Sequence, residues 1–322
     1  MSRKAGKLFD NNFKFIIAKA SSPAVVHLIN GLFPRNYPPN TIVEVRKPRE
    51  LIKENPESGN LGEIFTDMVV ILSSDGKKDT YLIEAQIKDD SEMVLRVFNY
   101  SVQIALENKS ISADGSRLLI DMPAPAVVYL ETSNTKDFLT IEVKFPGDKS
   151  VTYNVPAFKV LEHKVSELEH MALLLPFYIL RIRKELEKQG TDSEKRKELA
   201  KELSGYVAEI CEVLQRSKEN SYITDVDVAM LQERMSNMHS RLYGGYKEFR
   251  EDNMTIEQMY NKSVLKKIDD AEARAEARAE AKAELKAEKR ISQVAKAMKT
   301  AGEAIDKIMN YTGLSRRKIA AL

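Results

Sequence analysis

The sequence predicts an α/β fold followed by a helical C-terminal region, and three observations lead to this expectation. Apolar residues recur at three- and four-residue spacings over residues 8–33 and again over 91–107, which is the period of an amphipathic helix. Between these segments, residues 62–88 contain two apolar runs joined by a polar turn, which is typical of a β-hairpin. From about Leu161 onward, helical patterns dominate.

The N-terminal segment, residues 8–33, is predicted to be one helix. Asp10 is placed to cap its first turn, and an equally good interpretation makes Asp10 a residue of a functional site. Three prolines between positions 34 and 39 end this section, because proline cannot continue helical hydrogen bonding. A short strand, Thr41–Val45, is expected after them.

The hairpin in residues 62–88 is the clearest β signal in the chain. Its strands are predicted as Ile64–Leu72 and Tyr81–Lys88, with Asp75-Gly76 in the turn. The elements expected next are a helix at Ser91–Glu107, a strand at Ala126–Leu130, and a second hairpin formed by Phe138–Phe145 and Val151–Val155.

Composition excludes several kinds of protein and site. The 322 residues carry a formal net charge of only +2, so any affinity for DNA must come from a local basic patch. Cys211 is the only cysteine, which excludes an intramolecular disulfide and a multi-cysteine zinc site. The N-terminus lacks the apolar core of a secretion signal, and the longest apolar run, Met171–Leu180, is far shorter than the ~20 residues of a membrane span. We therefore expect a soluble, cytoplasmic protein that does not enter a membrane.

Shifts in composition divide the chain into three expected parts. The first, residues 1–189, carries the predicted strands. A linker at Gln189–Asp192 separates it from a helical region, residues 190–262, and Asp192 is available to cap the next helix. Residues 263–322 are expected to form a long charged helix and a small helical tail.

The long charged helix is expected at Ala271–Lys289, because Ala, Glu, Arg and Lys all favour helix. Glutamates recur every four residues and so do basic residues, which puts an acidic stripe and a basic stripe on nearly opposite sides. These stripes would let copies of the chain form a homo-oligomer, as a coiled coil, through their C-terminal helices. The alternative is a solvated spacer helix.

The C-terminal tail has the spacing of a helix-turn-helix. Its predicted helices are Glu303–Asn310 and Ser315–Leu322, with Thr312-Gly313 between them. A basic run, Arg316–Lys318, opens the second helix, where contacts with a DNA groove usually lie. The alternative is a small helical cap or a dimerisation element.

The residues that point to chemistry lie in the first predicted hairpin. The two-residue period of a strand places Glu84, Gln86 and Lys88 on one face, and the hairpin would bring Asp67 beside that face. Buried carboxylates are costly unless they are paired or bind a metal. Mg²⁺ is the natural candidate, since it takes carboxylate ligands and keeps waters and substrate phosphates. Such an ion activates water and stabilises the charge that develops on a phosphate under attack.

The order and spacing of several motifs together resemble the recombination-promoting nuclease and putative transposase family of the PD-(D/E)XK nuclease superfamily. The resemblance covers about residues 8–180 well and the tail loosely. The matching positions are Asp67, Glu84 after sixteen intervening residues, Gln86, the helical motif Met93-x-x-Arg96-x-x-x-Tyr100 and the opening Asp10-x-x-Phe13-Lys14.

This resemblance implies a restriction-endonuclease-like core, a mixed sheet flanked by helices, within residues 1–189. It implies that Asp67 and Glu84 bind Mg²⁺, helped by the main-chain carbonyl of Ala85. The third superfamily position, normally Lys, is Gln86 here, which can orient a water but cannot carry a positive charge. Gln86 is as readily a polar neighbour of the core as a catalytic residue.

The function implied by the resemblance is that of a Mg²⁺-dependent DNA endonuclease. Gln86 would position the nucleophilic water, and Lys88, one pleat along, would supply the missing charge. Arg96 and Tyr100 would hold a phosphate or brace the acidic pair, with Asp10 as a further supporting residue. The runner-up is a catalytically weak or inactive nuclease scaffold that acts as an interaction or DNA-binding protein through its helical tail.

Each of these residues also has a plainer interpretation. Asp67 and Glu84 would form a solvated pair if their strands lay at the edge of a sheet. Arg96 would pair with Glu92 on the helix surface, and Tyr100 would be a core residue.

A rival metal site is offered by His163, Glu167 and His170, which a helix would align at i, i+4 and i+7. Imidazole and carboxylate groups can bind zinc. Charged neighbours place the three residues on an exposed helix face, where three ligands on one helix rarely suffice without a partner, so the magnesium site is the stronger hypothesis.

Overall fold

The computed structural model describes residues 3–46, 50–54, 61–65, 68–74, 76–90, 92–131, 134–189, 192–250, 258 and 292–320. The chain divides into two compact units, Met1–Ser263 and Val264–Leu322. The larger unit contains the strands and the first six helices, and the smaller unit contains the C-terminal helices.

The strands of the larger unit set its fold class, which is α/β as the sequence predicts. Within the described residues, six strands form one mixed sheet in the order β1-β4-β5-β8-β10-β9. Strands β4 and β5 are antiparallel, whereas β5, β8 and β10 run parallel. The strands are β1 (Ile42–Arg46), β2 (Glu50–Glu54), β3 (Leu61–Phe65), β4 (Met68–Ser74), β5 (Lys77–Gln86), β6 (Ser110–Ile111), β7 (Leu118–Leu119), β8 (Ala124–Tyr129), β9 (Phe138–Phe145) and β10 (Lys149–Lys159).

Helices surround this sheet and continue to the end of the described chain. No single helix in the described ranges is long and apolar enough to cross a membrane, although the bent pair Leu8–Lys19 and Ser22–Leu32 together meets the length and composition for one. The α-helices are α1 (Arg3–Lys19), α2 (Ser22–Leu32), α3 (Met93–Glu107), α4 (Arg183–Gln189), α5 (Ser193–Glu219), α6 (Asp225–Tyr243), α7 (residues 292–300), α8 (Ile305–Thr312) and α9 (Arg316–Ala320), and the 3₁₀ helices are Val160–Glu162, Val165–Ile182 and Lys247–Phe249.

The sheet has two faces that are covered very differently. Alternation along β5 directs Tyr81 and Ile83 to one face, which we call the broad face, and Leu82 to the other, which we call the α3 face. The broad face packs against α1, α2, the 3₁₀ helix Val165–Ile182, α5 and α6 in one large apolar core. The α3 face packs against Met93, Val97 and Tyr100 of α3 in a smaller core.

The N-terminal helix differs from its prediction. Residues 8–33 are divided between α1 and α2, whose axes differ by 119°. The break lies at Ser21, whose side chain accepts a hydrogen bond from the Ala24 amide, and Pro23 occupies the first turn of α2. Proline favours the start of a helix and not its interior, so the chain begins a new helix here.

Asp10 is not a helix cap. Helix α1 begins seven residues earlier, at Arg3, so Asp10 lies inside it and pairs with Lys14 one turn later at 2.9 Å. The cap prediction is wrong because the amphipathic pattern begins before the first apolar run.

The predicted strands are confirmed in part. Strand β9 has the predicted bounds, and β1, α3 and β8 agree with their predictions within about two residues. The predicted strand Ile64–Leu72 is instead divided between β3, which pairs with β2, and β4, which pairs with β5. Strand β10 extends beyond the predicted Val151–Val155 because it continues from the hairpin into parallel pairing with β8.

The smaller unit is helical where it is described. Helices α7, α8 and α9 share a small core formed by Ala295, Ile308 and Ile319. Gly313 follows α8 with φ 69°, a left-handed conformation that glycine adopts without strain. The charged stretch Ala271–Lys289 lies outside the described residues.

Candidate functional site

Glu84 lies near the middle of the sheet, in the second half of β5. Only 5% of its surface is exposed, and its Cα pairs with that of Val127 on β8. Alternation places its side chain on the α3 face together with Leu82, which is completely buried. Burial of this carboxylate excludes the solvated edge-strand interpretation for Glu84, because β5 is flanked by β4 and β8.

Asp67, the other predicted ligand, lies outside the described residues. Its sequence neighbour Met68 begins β4 and pairs with Ile83 of β5. In the sequence, Asp67 directly precedes Met68 and Glu84 directly follows Ile83, and Met68 and Ile83 are paired across the two strands.

Gln86 ends β5, half-buried and paired with Tyr129 of β8. It shares the α3 face with Glu84 by alternation, and its main-chain carbonyl accepts a hydrogen bond from the Leu130 amide at 2.7 Å. The prediction that Lys88 continues this face is wrong, because the strand stops at Gln86 and Lys88 is exposed in the bend that follows.

Two aspartates organise the turn between β5 and α3. Asp90 lies just before α3, where its carboxylate accepts a hydrogen bond from the Glu92 amide at 2.9 Å and its carbonyl accepts one from the Met93 amide at 3.2 Å. Asp89 accepts from the Asn134 amide at 3.1 Å and the Thr135 hydroxyl at 3.0 Å. The turn after β5 is thereby tied to the loop after β8, at the carboxyl ends of two parallel strands.

Arg96 lies on the first turns of α3 and is held by this turn. Its Nη2 contacts the carboxylate of Asp90 at 3.1 Å, so its partner is Asp90 and not the predicted Glu92. Its Nε is buried, and no hydrogen-bond partner for that atom lies within the described part of the chain. Burial raises the pKa of the nearby Tyr129 hydroxyl, an effect that the Thr135 hydroxyl partly opposes.

Tyr100 and Asp10 are separated from this turn in different ways. Tyr100 is 4% exposed and belongs to the core between α3 and the sheet, as its plainer interpretation has it. Asp10 belongs to α1, which packs on the broad face. The described contacts therefore do not bring Asp10 together with Glu84.

A second buried carboxylate, which no sequence pattern predicted, lies just after the end of β8. Glu131 is 1% exposed and accepts two hydrogen bonds from the guanidinium of Arg183, which also donates to Glu187 at 2.8 Å. Its pairing depends on a residue 52 positions later, so no local sequence signal could have revealed it.

The rival zinc residues do not converge. His163 stacks on Phe158 at a ring distance of 4.6 Å and lies 3.7 Å from Glu167. His170 instead contacts the edge of Tyr222, at 6.0 Å. Across the ranges that the structure describes, no group of three His, Cys, Asp or Glu side chains is placed to hold a metal ion, and Asp67 lies outside those ranges.

Compared with known proteins, the chain matches no family model, no curated protein and no solved structure.

Proposed function

We propose that the chain is a Mg²⁺-dependent DNA endonuclease with a restriction-endonuclease-like core of the PD-(D/E)XK type. The observation that carries the proposal is Glu84, a carboxylate that is only 5% exposed. It lies on β5, which pairs antiparallel with β4 on one side and parallel with β8 on the other. Ligand sites in open α/β sheets lie outside the carboxyl ends of the strands. Glu84 lies near the carboxyl end of β5, beside the carboxyl end of the parallel strand β8.

The residues present are suited to a hard cation. Mg²⁺ prefers oxygen ligands, and the proposed set is the carboxylates of Asp67 and Glu84 with the main-chain carbonyl of Ala85. When bound there, the ion would activate water and stabilise negative charge on the phosphate. A metal also offsets the cost of burying a carboxylate, which is a reason for Glu84 to be kept inside.

The remaining residues would act on substrate and water. Gln86, half-buried on the same face as Glu84, would orient the attacking water through its amide. Arg96, held at 3.1 Å by Asp90, would present its guanidinium to a phosphate, since that group matches phosphate geometry. Lys88, which is exposed, would attract the DNA backbone from outside.

Supercoiled plasmid tests the proposal. Wild-type protein is expected to nick it with Mg²⁺ and to stop when the ion is chelated. Asp67→Asn and Glu84→Gln are expected to lose cleavage by at least about a hundredfold, the scale of removing one group that stabilises the transition state. The matched control is Glu92→Gln, the same chemical change at an exposed residue. No nicking by the wild type, or equal nicking by Glu84→Gln, refutes the assignment.

A second candidate function rests on the smaller unit. Helices α8 and α9 are joined at Gly313 and share a core with α7, and Arg316, Arg317 and Lys318 open α9. We propose as the alternative that the chain binds DNA or a second copy of itself through these helices. DNA binding that survives Asp67→Asn, falls with salt and is lost in Arg317→Ala/Lys318→Ala would favour it. Loss of an oligomer on truncation before Ala271 would favour assembly by the C-terminal helices.

A further inference from the structure

Strand β9 forms an open edge of the six-stranded sheet. It pairs along its whole length with β10, from Phe138 opposite Pro156 to Phe145 opposite Lys149. In the described part of the larger unit, no strand lies on its other side. Its eight residues contain no proline and no bulge, so a row of main-chain donors and acceptors faces outward in regular register.

From Leu139 to Phe145, the side chains of β9 divide between an apolar and a polar face. Leu139, Ile141, Val143 and Phe145 lie on the α3 face, opposite Val155, Tyr153, Val151 and Lys149 of β10. Thr140, Glu142 and Lys144 lie on the other face, where the Thr140 hydroxyl donates to Asn154 at 3.0 Å.

The distal end of this apolar row is left uncovered within the larger unit. Leu139 and Tyr153 pack toward α3, where Tyr153 meets Phe98 at 5.4 Å. Farther along the hairpin, Phe145 is 52% exposed and Val151 is 59% exposed. An exposed apolar strand edge is a site for pairing with another strand.

The charges on β9 single out one way for two copies to pair. In an antiparallel pair centred on Val143, Glu142 of each copy lies opposite Lys144 of the other, and Ile141 lies opposite Phe145. A pair centred on Glu142 would instead place Glu142 against itself, and one centred on Lys144 would place Lys144 against itself. Opposite charges directly across a strand pair stabilise it and like charges destabilise it.

We propose that β9 is a self-complementary docking strand, and that a second copy of this chain adds its own β9 antiparallel to it, centred on Val143. The two sheets then become continuous, with both α3 helices on one face. Main-chain hydrogen bonds give the affinity, and the two Glu142–Lys144 pairs fix the register. This interface uses residues of the larger unit and does not depend on the proposed nuclease activity.

Charge reversal in the full chain tests the register by sedimentation equilibrium. Glu142→Lys and Lys144→Glu each place like charges across both pairs, and each is expected to weaken dimerisation about tenfold or more. An equimolar mixture of the two variants is expected to recover a wild-type dissociation constant, since every pair in the heterodimer is again opposite in charge. Each substitution also removes the ion pair between Glu142 and Lys144 within one chain, whose atoms are 3.6 Å apart. Mixing does not restore that ion pair, so recovery on mixing identifies the contact between chains as the cause.

Disulfide trapping tests the centre of the interface. Val143→Cys is expected to form a covalent dimer under mild oxidation, because the two copies of residue 143 face one another. Val151→Cys is the control, since residue 151 is more exposed than residue 143 and lies on the adjoining strand, distant from its counterpart in the other copy. The native Cys211 does not interfere, because burial raises the pKa of its thiol to about 12.

Three results would overturn the proposal. One is a wild-type chain that remains monomeric up to about 100 µM, a concentration at which even weak specific pairs form. Another is a dimer whose dissociation constant is unchanged by both charge reversals. The third is equal cross-linking of Val143→Cys and Val151→Cys.

Discussion

The two faces of the central sheet use the same strands for different purposes. On the broad face, residues such as Ile83 belong to one apolar core shared with several helices. On the α3 face, Leu82 belongs to a much smaller core whose helical residues, among those described, come from α3, and Glu84 lies on the same face by alternation. At one end of this smaller face stand Gln86 and the turn of Asp89 and Asp90, and at the other end the hairpin leaves Phe145 exposed.

Under the proposed function, this difference separates stability from function within one fold. The broad face contains what folding needs, which is a large amount of buried apolar surface. The α3 face keeps a buried carboxylate and a line of polar groups that a purely structural design would replace with apolar side chains. Active sites commonly reduce stability in this way.

The largest expected effect compares neighbours on β5. Ile83 and Leu82 are both completely buried, similar in volume, and directed to opposite faces. Ile83→Ala is expected to lower the free energy of unfolding by about 4–5 kcal/mol, and Leu82→Ala by about 2–3 kcal/mol, because the smaller core can collapse around the cavity. Urea denaturation of both variants measures the difference. Equal losses would remove the distinction between the faces.

The next effect concerns the buried pair of Glu131 and Arg183, which is a structural use of a carboxylate. Glu131→Ala leaves the guanidinium buried without its main partner and is expected to cost about 3–5 kcal/mol. The double variant Glu131→Leu/Arg183→Met is expected to lie within about 1–2 kcal/mol of the wild type, since neither charge then remains buried. A double-mutant cycle by chemical denaturation checks this, and additive losses would contradict it.

Glu84 should matter less for stability than Glu131. Glu84→Gln keeps the shape of the side chain and its ability to accept a hydrogen bond, so it is expected to lose less stability than Glu131→Gln, which breaks a two-point contact with a buried guanidinium. Glu131→Gln is the matched control and is expected to lose stability. A melting temperature that falls as much for Glu84→Gln as for Glu131→Gln would make Glu84 a structural residue.

The smallest expected effect is a pH dependence of the free energy of unfolding that arises from His27, on helix α2 of the broad face. Burial, and then the charge of His170, lower the pKa of His27 below 6.5. The unfolded chain therefore takes up a proton first, so the stability that His27 contributes is present above pH 6.5 and is lost as the pH falls below it. The loss is expected to be under about 1.4 kcal/mol per pH unit and to shrink in His27→Gln. Unfolding in urea at several pH values measures both proteins, and identical slopes would exclude His27 as the cause.

Sequence periodicity predicted the strands and helices that are specified by a local pattern of apolar residues. The bounds of β9 and the existence of α3, β5 and β8 follow from alternating or helical apolar patterns, which burial on one face requires. The break at Ser21 was missed because Pro23 was outweighed by the apolar pattern on either side of it. Its signal, two serines before a proline, is present in the sequence.

The polar contacts of the candidate site could not be predicted in the same way. Asp89 accepts a hydrogen bond from Thr135, which lies 46 positions away. Arg96 forms its ion pair with Asp90 and not with Glu92, because the chain bends after Gln86. Such partners depend on how β5, α3 and β8 meet, and no local pattern encodes that arrangement. The sequence predicted that Glu84 and Gln86 share one face of a strand, but it did not predict the contacts of the turn that follows.

The effect of Mg²⁺ on thermal unfolding tests the central claim most directly, because it reports binding without requiring cleavage. A ligand that binds the folded state raises its stability by an amount set by its concentration and dissociation constant, about 1.4 kcal/mol at ten times that constant. We predict that millimolar Mg²⁺ raises the melting temperature of the wild type by a few degrees and leaves that of Glu84→Gln unchanged. An equal rise in both proteins, or none in the wild type, would contradict a metal site at Glu84.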